Sequence, residues 1–567
     1  MDSLQNIIAE LLGPDALRDD DHYPVTVPSF LVPRERFIEA ARGMKKAGAR
    51  LVAEWATDET LMSQSSQKIM KIPLNPPFSK GEVISPPLVK GGEGGVEPGF
   101  SDERKSSKGF GIYTCYSLDS EYIIINCRIP IDDPTFPSLT KKFVPASRFE
   151  RQMRSLMGVI PVGHPDPRPW IKHEDWPEDA YPLRKVFDPS MPMPRVKGEY
   201  QWIRAEGEGV YEIAVGPVHA GIIEPGHFRF QAVGEDILHL EERLGYVHKG
   251  IEKRFESLSW LDGAKLAGRV SGDTTVAHAL TYCKALEAMT GCILPERALW
   301  IRALMLERER IANHLGDIGA ICNDVAFAFL LYQFSILRET MLRTNDKLFG
   351  HRFIMDRVIP GGVSVDITPE GKEEILRETD WIKKEFERLV IIYDENPSLE
   401  DRLRDAGVLS TEDARELGVV GFVARASGIG LDCRVQSPFS PYDRIIPKMT
   451  VLNSGDIHAR VWVRIEEIRE SLRMIYEILE GIPEGKISGG FDPPSKESSG
   501  FAVVEGWRGE IVYWLQSGPN GEINRCMVRD PSSVNWLALE LAIHGNIVPD
   551  FPVCNKSFNQ SYSGHDL

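Results

Sequence analysis

The strongest constraint on the fold is a series of long helical patterns in the second half of the chain. A strand pair near residues 500–516 follows them, and a hairpin is predicted at residues 227–231. An apolar stripe from Val233 to Ile251, with spacings of three and four, predicts a further helix. The long helices are predicted over residues 275–290, 295–318, 325–348, 368–394 and 455–479. This part of the chain should therefore be mainly helical, with small sheets at its edges.

The first 190 residues have a different pattern. A helix at residues 34–46 precedes a strand at residues 49–55, and two β-rich runs meet at Asp119 and Ser120, a favourable hairpin turn. A helix is predicted over residues 146–157. Together with the helical region, these elements predict an α+β protein in which an α/β N-terminal domain precedes a larger helical domain.

A segment at about residues 63–108 departs in composition from both regions. It is dense in proline, which lacks a backbone hydrogen-bond donor, and in glycine, which loses much conformational entropy on ordering. We predict a disordered surface insertion, which we favour over the alternative of a proline-rich ligand for a partner domain.

Composition limits the classes of function. The net charge of −17 argues against a nucleic-acid partner. No apolar run is long enough to span a bilayer, and the first residues lack the basic start of a signal peptide, so we expect a cytoplasmic protein that reaches a membrane only by docking on an integral partner. The eight cysteines contain no C-x-x-C pair, so we expect no iron–sulfur cluster on this chain.

Residues 163–187 contain many proline, tryptophan and charged residues, which suits an extended arm lying on another surface. With the RFER sequence at residues 148–151, this arm resembles the signature region of the 30-kilodalton, C-type subunit of complex I. The resemblance implies a C-type domain at residues 1–190, whose arm packs on a D-type domain at residues 191–567. A proline-rich linker at residues 188–195 separates the two.

Three features of the larger domain resemble nickel–iron hydrogenase large subunits and the 49-kilodalton, D-type subunits of complex I. They are VGPVH (215–219) with EPGH (224–227), HKGIEK (248–253), and RASGI (425–429) with Asp432 and Arg434. The resemblance extends to the membrane-bound group that includes formate hydrogenlyase large subunits, hydrogenase-4 component G and C/D fusions of complex I. It implies a large subunit of an energy-converting oxidoreductase complex.

The chain departs from the hydrogenases at all four nickel-ligand cysteines. The matching positions are Ser271, Thr274, Ser532 and Asn535. Nickel–iron centres need soft thiolates, and hydroxyls and amides bind such metals poorly. We therefore expect no metal, no nickel and no hydrogenase activity. These residues are alternatively helix N-caps, with Asp530 capping a helix that starts at Pro531.

In the complex I relatives the same cavity, without metal, binds the quinone head group through a histidine and a tyrosine. His219 and His227 lie in the matching hairpin, and His227 aligns best with the quinone histidine. The tyrosine position is occupied by Arg269, which can also donate hydrogen bonds. The resemblance thus implies a candidate quinone pocket at His219, His227 and Arg269, with no tightly bound cofactor on this chain; either histidine could equally be structural.

Glu252 matches the glutamate that passes protons in this superfamily. Its position beside Ile251 favours partial burial, which suits a proton-transfer carboxylate; the alternative is a surface ion pair with Lys249 or Lys253. A second set of polar residues has the spacing of one helix face and could form either a solvated surface or a proton path. These residues are Asp456, Arg460 and Arg464.

Two hypotheses about function remain open, and a third, an active nickel–iron hydrogenase, is far less favoured. In the first, the chain is a redox subunit on the cytoplasmic face of the inner membrane. Its partners are an iron–sulfur small subunit and membrane subunits of the antiporter-like and H types, with any NADH chemistry on another polypeptide. In the second, the chain is an assembly and coupling scaffold without chemistry of its own.

Overall fold

The computed structural model describes residues 4–13, 17–18, 27–60, 109–173, 176–218 and 223–567. The predicted insertion at residues 63–108 and the candidate His219 lie outside the described residues. Helices and separate small sheets make up the described part, which confirms the α+β class. None of the described helices combines the length and the apolar character needed to cross a bilayer.

The N-terminal part is built on one five-stranded sheet with the strand order β1-β2-β5-β4-β3. Asp119 has a φ of 53° at the predicted turn between β4 and β5, a conformation that aspartate tolerates in tight hairpins. Helix α3 packs on β3. The elements are α1 (Leu4–Leu12), β1 (Leu17–Arg18), β2 (Ser29–Leu31), α2 (Phe37–Lys46), β3 (Arg50–Asp58), β4 (Gly109–Leu118), β5 (Glu121–Pro130), β6 (Thr135–Pro137), α3 (Ala146–Met157) and β7 (Ile160–Val162).

A three-stranded sheet, five helices and a two-stranded sheet open the larger part. The predicted helices near residues 275, 295 and 325 are confirmed, because α6, α7 and α8 begin within about three residues of them. The elements are β8 (Val210–Val215), β9 (His227–Val233), β10 (Asp236–Arg243), α4 (Ile251–Phe255), α5 (Trp260–Ala267), α6 (Thr275–Thr290), α7 (Glu296–Asp324), α8 (Ala328–Phe349), β11 (Val358–Ile359) and β12 (Gly362–Val363).

Among the remaining elements, α14 and α16 pack on α7, and a second three-stranded sheet of order β13-β14-β15 packs on α6. The sequence predicts the first two of these strands and not the third. The elements are α9 (Pro369–Asp394), α10 (Pro397–Leu403), α11 (Thr411–Glu416), α12 (Gly421–Ala426), α13 (Cys433–Gln436), α14 (Ile457–Gly481), β13 (Ser499–Gly506), β14 (Gly509–Ser517), β15 (Ile523–Arg529), α15 (Ser532–Ala542), α16 (Phe551–Phe558) and α17 (Tyr562–Asp566).

The helix predicted from Val233 to Ile251 is wrong, because this segment contains strand β10. Its pairing with β9 shifts register between Ile237 and His239. The shift breaks the alternation of a regular strand, so that Ile237 and Leu240 both face the core at a spacing of three. The spacing of the apolar residues was therefore that of a helix, although backbone hydrogen bonds to β9 hold the segment as a strand.

The arm at residues 163–187 lies on the larger part. Trp170 is buried beneath the guanidinium groups of Arg148 and Arg151, each 4.7 Å from its ring centre. His173 donates from Nε2 to the Leu244 carbonyl at 2.8 Å, and the Lys185 ammonium is 2.7 Å from the Glu256 carboxylate. The arm and the larger part thus share polar, hydrogen-bonded contacts.

The polar residues at the start of α14 are buried, so the solvated helix face considered for them is wrong. Asp456 caps the helix by accepting from the Ala459 N–H at 2.7 Å. Arg460 donates to the Gly407 carbonyl at 2.8 Å, and Arg464 lies 3.1 Å from the Asp317 carboxylate. These contacts satisfy charges that would be costly to bury alone.

Candidate functional site

Two turns far apart in sequence meet at Ser561. Ser271, in the turn before α6, has its hydroxyl 2.8 Å from the Ser561 hydroxyl. The Ser561 backbone N–H donates to the Ser532 hydroxyl at 2.8 Å. The turn before α17 therefore joins the start of α6 to the start of α15, and the side chains of Ser271 and Ser532 are both buried.

Thr274 takes part in the same site through Asp273 and Arg508. Its hydroxyl donates to the Asp273 carboxylate at 2.9 Å and accepts from Trp507 Nε1 and Arg508 Nη1, each at 3.1 Å. Arg508 also donates to both carboxylate oxygens of Asp273 at 2.7 Å. Burial by itself raises the pKa of Asp273, but the Arg508 charge outweighs it and holds that pKa far below its usual range.

Asn535, three residues after Ser532 on α15, binds the backbone rather than the other three side chains. Its amide oxygen accepts from the Val420 N–H at 3.0 Å, and its amide nitrogen donates to the Val420 carbonyl at 3.2 Å. The four positions are thus buried, and each has protein partners for its polar atoms. The groups at these positions that could face a ligand are three hydroxyls and one amide.

The helix-cap interpretation holds only in part at each turn. The Asp530 carboxylate accepts from the Ser532 N–H at 2.7 Å, but α15 begins at Ser532 and its N-cap is Pro531, one residue later than predicted. At α6, Thr274 occupies the N-cap position without a side-chain cap bond. The Glu309 carboxylate instead accepts from Val276 N–H at 2.7 Å and Ala277 N–H at 3.1 Å.

A buried polar chain that the sequence did not reveal continues from Asp530. Its carboxylate is 2.9 Å from Nε2 of His278, and Nδ1 of His278 is 3.0 Å from the Tyr513 hydroxyl. Asp530, His278 and Tyr513 are fully buried. His278 is 252 residues from Asp530 and 235 residues from Tyr513, so no local spacing could have pointed to the chain.

Glu252 is buried at the start of α4 and forms an ion pair with Arg525 of β15. Its carboxylate accepts from Arg525 Nη2 and from the Val528 N–H, each at 3.1 Å. The surface pair considered for it is wrong. Lys249 donates instead to the carbonyls of Arg269 and Val270, and Lys253 lies 2.8 Å from Glu256.

His227, at the start of β9, has one ring nitrogen with a hydrogen-bond partner and one without among the described residues. Nδ1 lies 2.9 Å from the Gly216 carbonyl and must donate, because a carbonyl only accepts. Nε2 is buried and has no hydrogen-bond partner among the described residues. Burial lowers the pKa of His227, so Nε2 of the neutral ring is an available acceptor.

Arg269 is half-exposed and has its own partner. It forms a two-pronged ion pair with Asp356, with Nη2 at 2.7 Å, and it donates to the Lys265 carbonyl at 2.7 Å. Within the described part of the chain, no hydrogen bond or ring contact joins it to His227. The structure therefore does not bring these two candidates into direct contact.

Comparison with known proteins agrees with this architecture. The family model for the 49 Kd subunit of respiratory-chain NADH dehydrogenase matches residues 324–489, and that for the 30 Kd subunit matches residues 99–192. Formate hydrogenlyase subunit 5 of Escherichia coli is 32% identical over 476 residues, covering 82% of this chain and 83% of the relative. The C/D fusion of NADH-quinone oxidoreductase from Phocaeicola vulgatus is 32% identical, with 72% and 83% coverage.

A solved structure shares the fold of almost two thirds of this chain. The match lies in the membrane-bound sulfane sulfur reductase, an archaeal respiratory membrane complex, with a TM-score of 0.60 and 26% identity over 64% of this chain and 100% of the other. The fold and site thus define a fused protein of the 30 Kd and 49 Kd types. The chain belongs to the family that includes formate hydrogenlyase subunit 5, hydrogenase-4 component G and the C/D fusions of NADH-quinone oxidoreductase. Hydrogenase-4 component G of Escherichia coli is 32% identical, with 82% of each chain covered.

Proposed function

We propose that this chain is the large peripheral subunit of a membrane-associated, energy-converting oxidoreductase in which Glu252 couples electron transfer to proton movement. The burial of Glu252 against Arg525 carries the proposal, because a carboxylate removed from bulk water can hold or release a proton in response to nearby charge. An iron–sulfur small subunit would supply electrons. Antiporter-like and H-type membrane subunits would hold the chain at the cytoplasmic face of the inner membrane.

The exchange of Glu252 for glutamine tests the proposal. Glu252→Gln keeps the size and one acceptor but cannot carry the proton, so redox-driven proton uptake by the assembled complex should fall while assembly is retained. The exposed Glu412→Gln is the matched control. Uptake at the wild-type rate in Glu252→Gln would contradict the proposal.

The former ligand positions carry no nickel in this proposal. Hydroxyls at Ser271, Thr274 and Ser532 and the amide at Asn535 are poor ligands for a metal that needs soft thiolates. Each polar group is also already bound to protein atoms. Elemental analysis of the purified complex should find nickel far below one atom per chain, and stoichiometric nickel would favour an active hydrogenase instead.

Quinone is the proposed acceptor, with His227 at its head group. The free Nε2 is the observation in favour, since a neutral ring can accept a hydrogen bond from a quinol hydroxyl. Titration of the complex with the reduced quinol should show saturable binding that His227→Ala weakens. Equal binding by the wild-type and His227→Ala complexes would show that His227 does not bind the head group.

The alternative is an assembly and coupling scaffold without chemistry of its own. The dense hydrogen bonding around the former ligand positions favours it, because those groups stabilise the protein without a ligand. A complex that assembles and transfers electrons normally with both His227→Ala and Glu252→Gln would support this alternative over the redox role.

A further inference from the structure

A small cavity separates the N-terminal sheet from the larger part beside Glu252. It has a volume of about 30 Å³, room for about two water molecules. Helix α3 and strand β3 form one wall, and α4 with β15 forms the other. Its lining includes Glu54, Met153, Leu183, Glu252, Arg525 and Ser533.

Glu54 on β3 is the unexplained group in this cavity. Its side chain is 3% exposed, and neither carboxylate oxygen has a hydrogen-bond partner among the described residues. Burial, followed by the nearby charge of Glu150, raises the pKa of Glu54 well above its usual value. Arg525, the cation in the same lining, is already paired with Glu252. A carboxyl group in this setting is stable in its neutral, protonated form.

Glu150, whose charge acts on Glu54, is a second buried titratable carboxyl group in the N-terminal part. Glu150 on α3 accepts from the Ser138 hydroxyl at 2.6 Å and the Thr140 hydroxyl at 3.0 Å. Burial raises the pKa of Glu150 to about 7, although these hydrogen bonds oppose the rise. The His164 side chain is buried, and its Nε2 lies 3.1 Å from the Ser147 carbonyl and 3.7 Å from the Glu150 carboxylate. Glu54 therefore lines the same cavity as Glu252 and is acted on by the charge of Glu150, a carboxyl group whose pKa is about 7.

We propose that Glu54 is a proton relay that supplies Glu252 through water in this cavity. The O–H bond of Glu54 breaks as its proton passes to a water molecule, and that water releases another proton to the Glu252 carboxylate. Glu54 then takes up a proton from Glu150, and Glu150 takes up a proton from solvent. The inference rests on the proton role proposed for Glu252 and extends it into the N-terminal domain.

Infrared spectroscopy of the whole complex tests the protonation of Glu54 directly. Wild type and Glu412→Gln should show a deuterium-sensitive C=O band of a protonated carboxyl at pH 8. The difference spectrum of wild type minus Glu54→Gln should isolate that band. Glu54→Asp, which keeps a carboxyl one methylene further back, should shift it. A Glu54→Gln or Glu54→Asp spectrum identical to wild type would overturn the proposal.

Proton uptake on reduction tests the relay. Uptake should slow at least about tenfold in Glu54→Gln and Glu252→Gln, and remain normal in Glu412→Gln. Normal uptake in Glu54→Gln with slow uptake in Glu252→Gln would overturn the relay alone. Normal uptake in both would overturn the role of Glu252 itself.

Discussion

At the scale of single residues, the Glu252–Arg525 pair shows how burial makes each charge dependent on its partner. Arg525 is 3% exposed and also donates to the Cys526 carbonyl at 2.6 Å. Burying either charge alone is costly, and the pair is stable because each group neutralises the other. Protonation of Glu252 would therefore weaken its ion pair with Arg525. Because Arg525 lies on β15, this links protonation to the packing of that strand.

Arg525→Met should destabilise the protein by about 3–5 kcal/mol, because it leaves Glu252 buried without a counter-charge. Adding Glu252→Gln removes that charge, so the double variant should regain part of the loss. Urea unfolding of the three proteins measures the effect. Arg343→Met, which breaks an exposed pair with Glu339, is the control and should change stability by less than about 1 kcal/mol. Equal loss in the single and double variants would contradict this account.

At the scale of elements, the start of α6 depends on a side chain from another helix. Glu309 of α7 accepts from two N–H groups of the first turn, where Thr274 makes no cap bond. The first turn of a helix leaves four N–H groups without intrahelical partners, so a buried helix start needs such acceptors. The carboxylate of α7 thereby fixes the turn that carries Ser271 and Thr274.

Glu309→Leu should lower the free energy of unfolding by about 1–3 kcal/mol, because it leaves buried N–H groups unsatisfied. Thr290→Val at the other end of α6 is the control, since the Thr290 hydroxyl bonds only carbonyls of its own helix. Thermal unfolding followed by circular dichroism measures both. A loss in Thr290→Val as large as that in Glu309→Leu would show that the cap is unimportant.

At the scale of the whole molecule, Glu510 joins the N-terminal sheet to the C-terminal sheet. The fully buried carboxylate lies 2.8 Å from Arg50 of β3 and 2.6 Å from Arg529 of β15, and it accepts from the Tyr122 hydroxyl of β5 at 2.7 Å. Burial by itself raises the pKa of Glu510, but the two arginines outweigh it and lower that pKa to about 2. The contact therefore holds only while Glu510 is ionised.

Acid should separate these two parts of the molecule. The pKa of Glu510 is lower in the folded than in the unfolded protein, so its contribution is complete above about pH 4.5 and is lost as the pH falls towards 2. The fall in the pKa of Glu510 from 4.5 to about 2 corresponds to roughly 3 kcal/mol of stability. The stability difference between wild type and Glu510→Gln in urea should therefore shrink from pH 6 to pH 3. A constant difference would show that Glu510 is not the acid-sensitive group.

Much of the architecture was predictable because it is local. The long helices α6 to α9 and α14 follow from continuous patterns of 16 to 29 residues, and the β4–β5 hairpin follows from its turn residues. Strand β10 was not predictable in this way, since its register shift produced a helical spacing and the strand depends on pairing with β9. Burial of Glu252 was expected, whereas its partner 273 residues away was not.

The sequence alone determined the long helices, the β4–β5 hairpin, the likeness to complex I and hydrogenase subunits, and the replacement of four thiols by hydroxyls and an amide, because these are properties of neighbouring residues. Only the tertiary structure decided that Ser561 joins the two former ligand turns, that Glu309 caps α6, and that Glu54 faces the same cavity as Glu252. The hydrogen bonds among these contacts join residues 29 to 290 positions apart. They depend on how the whole chain packs, which no local pattern encodes.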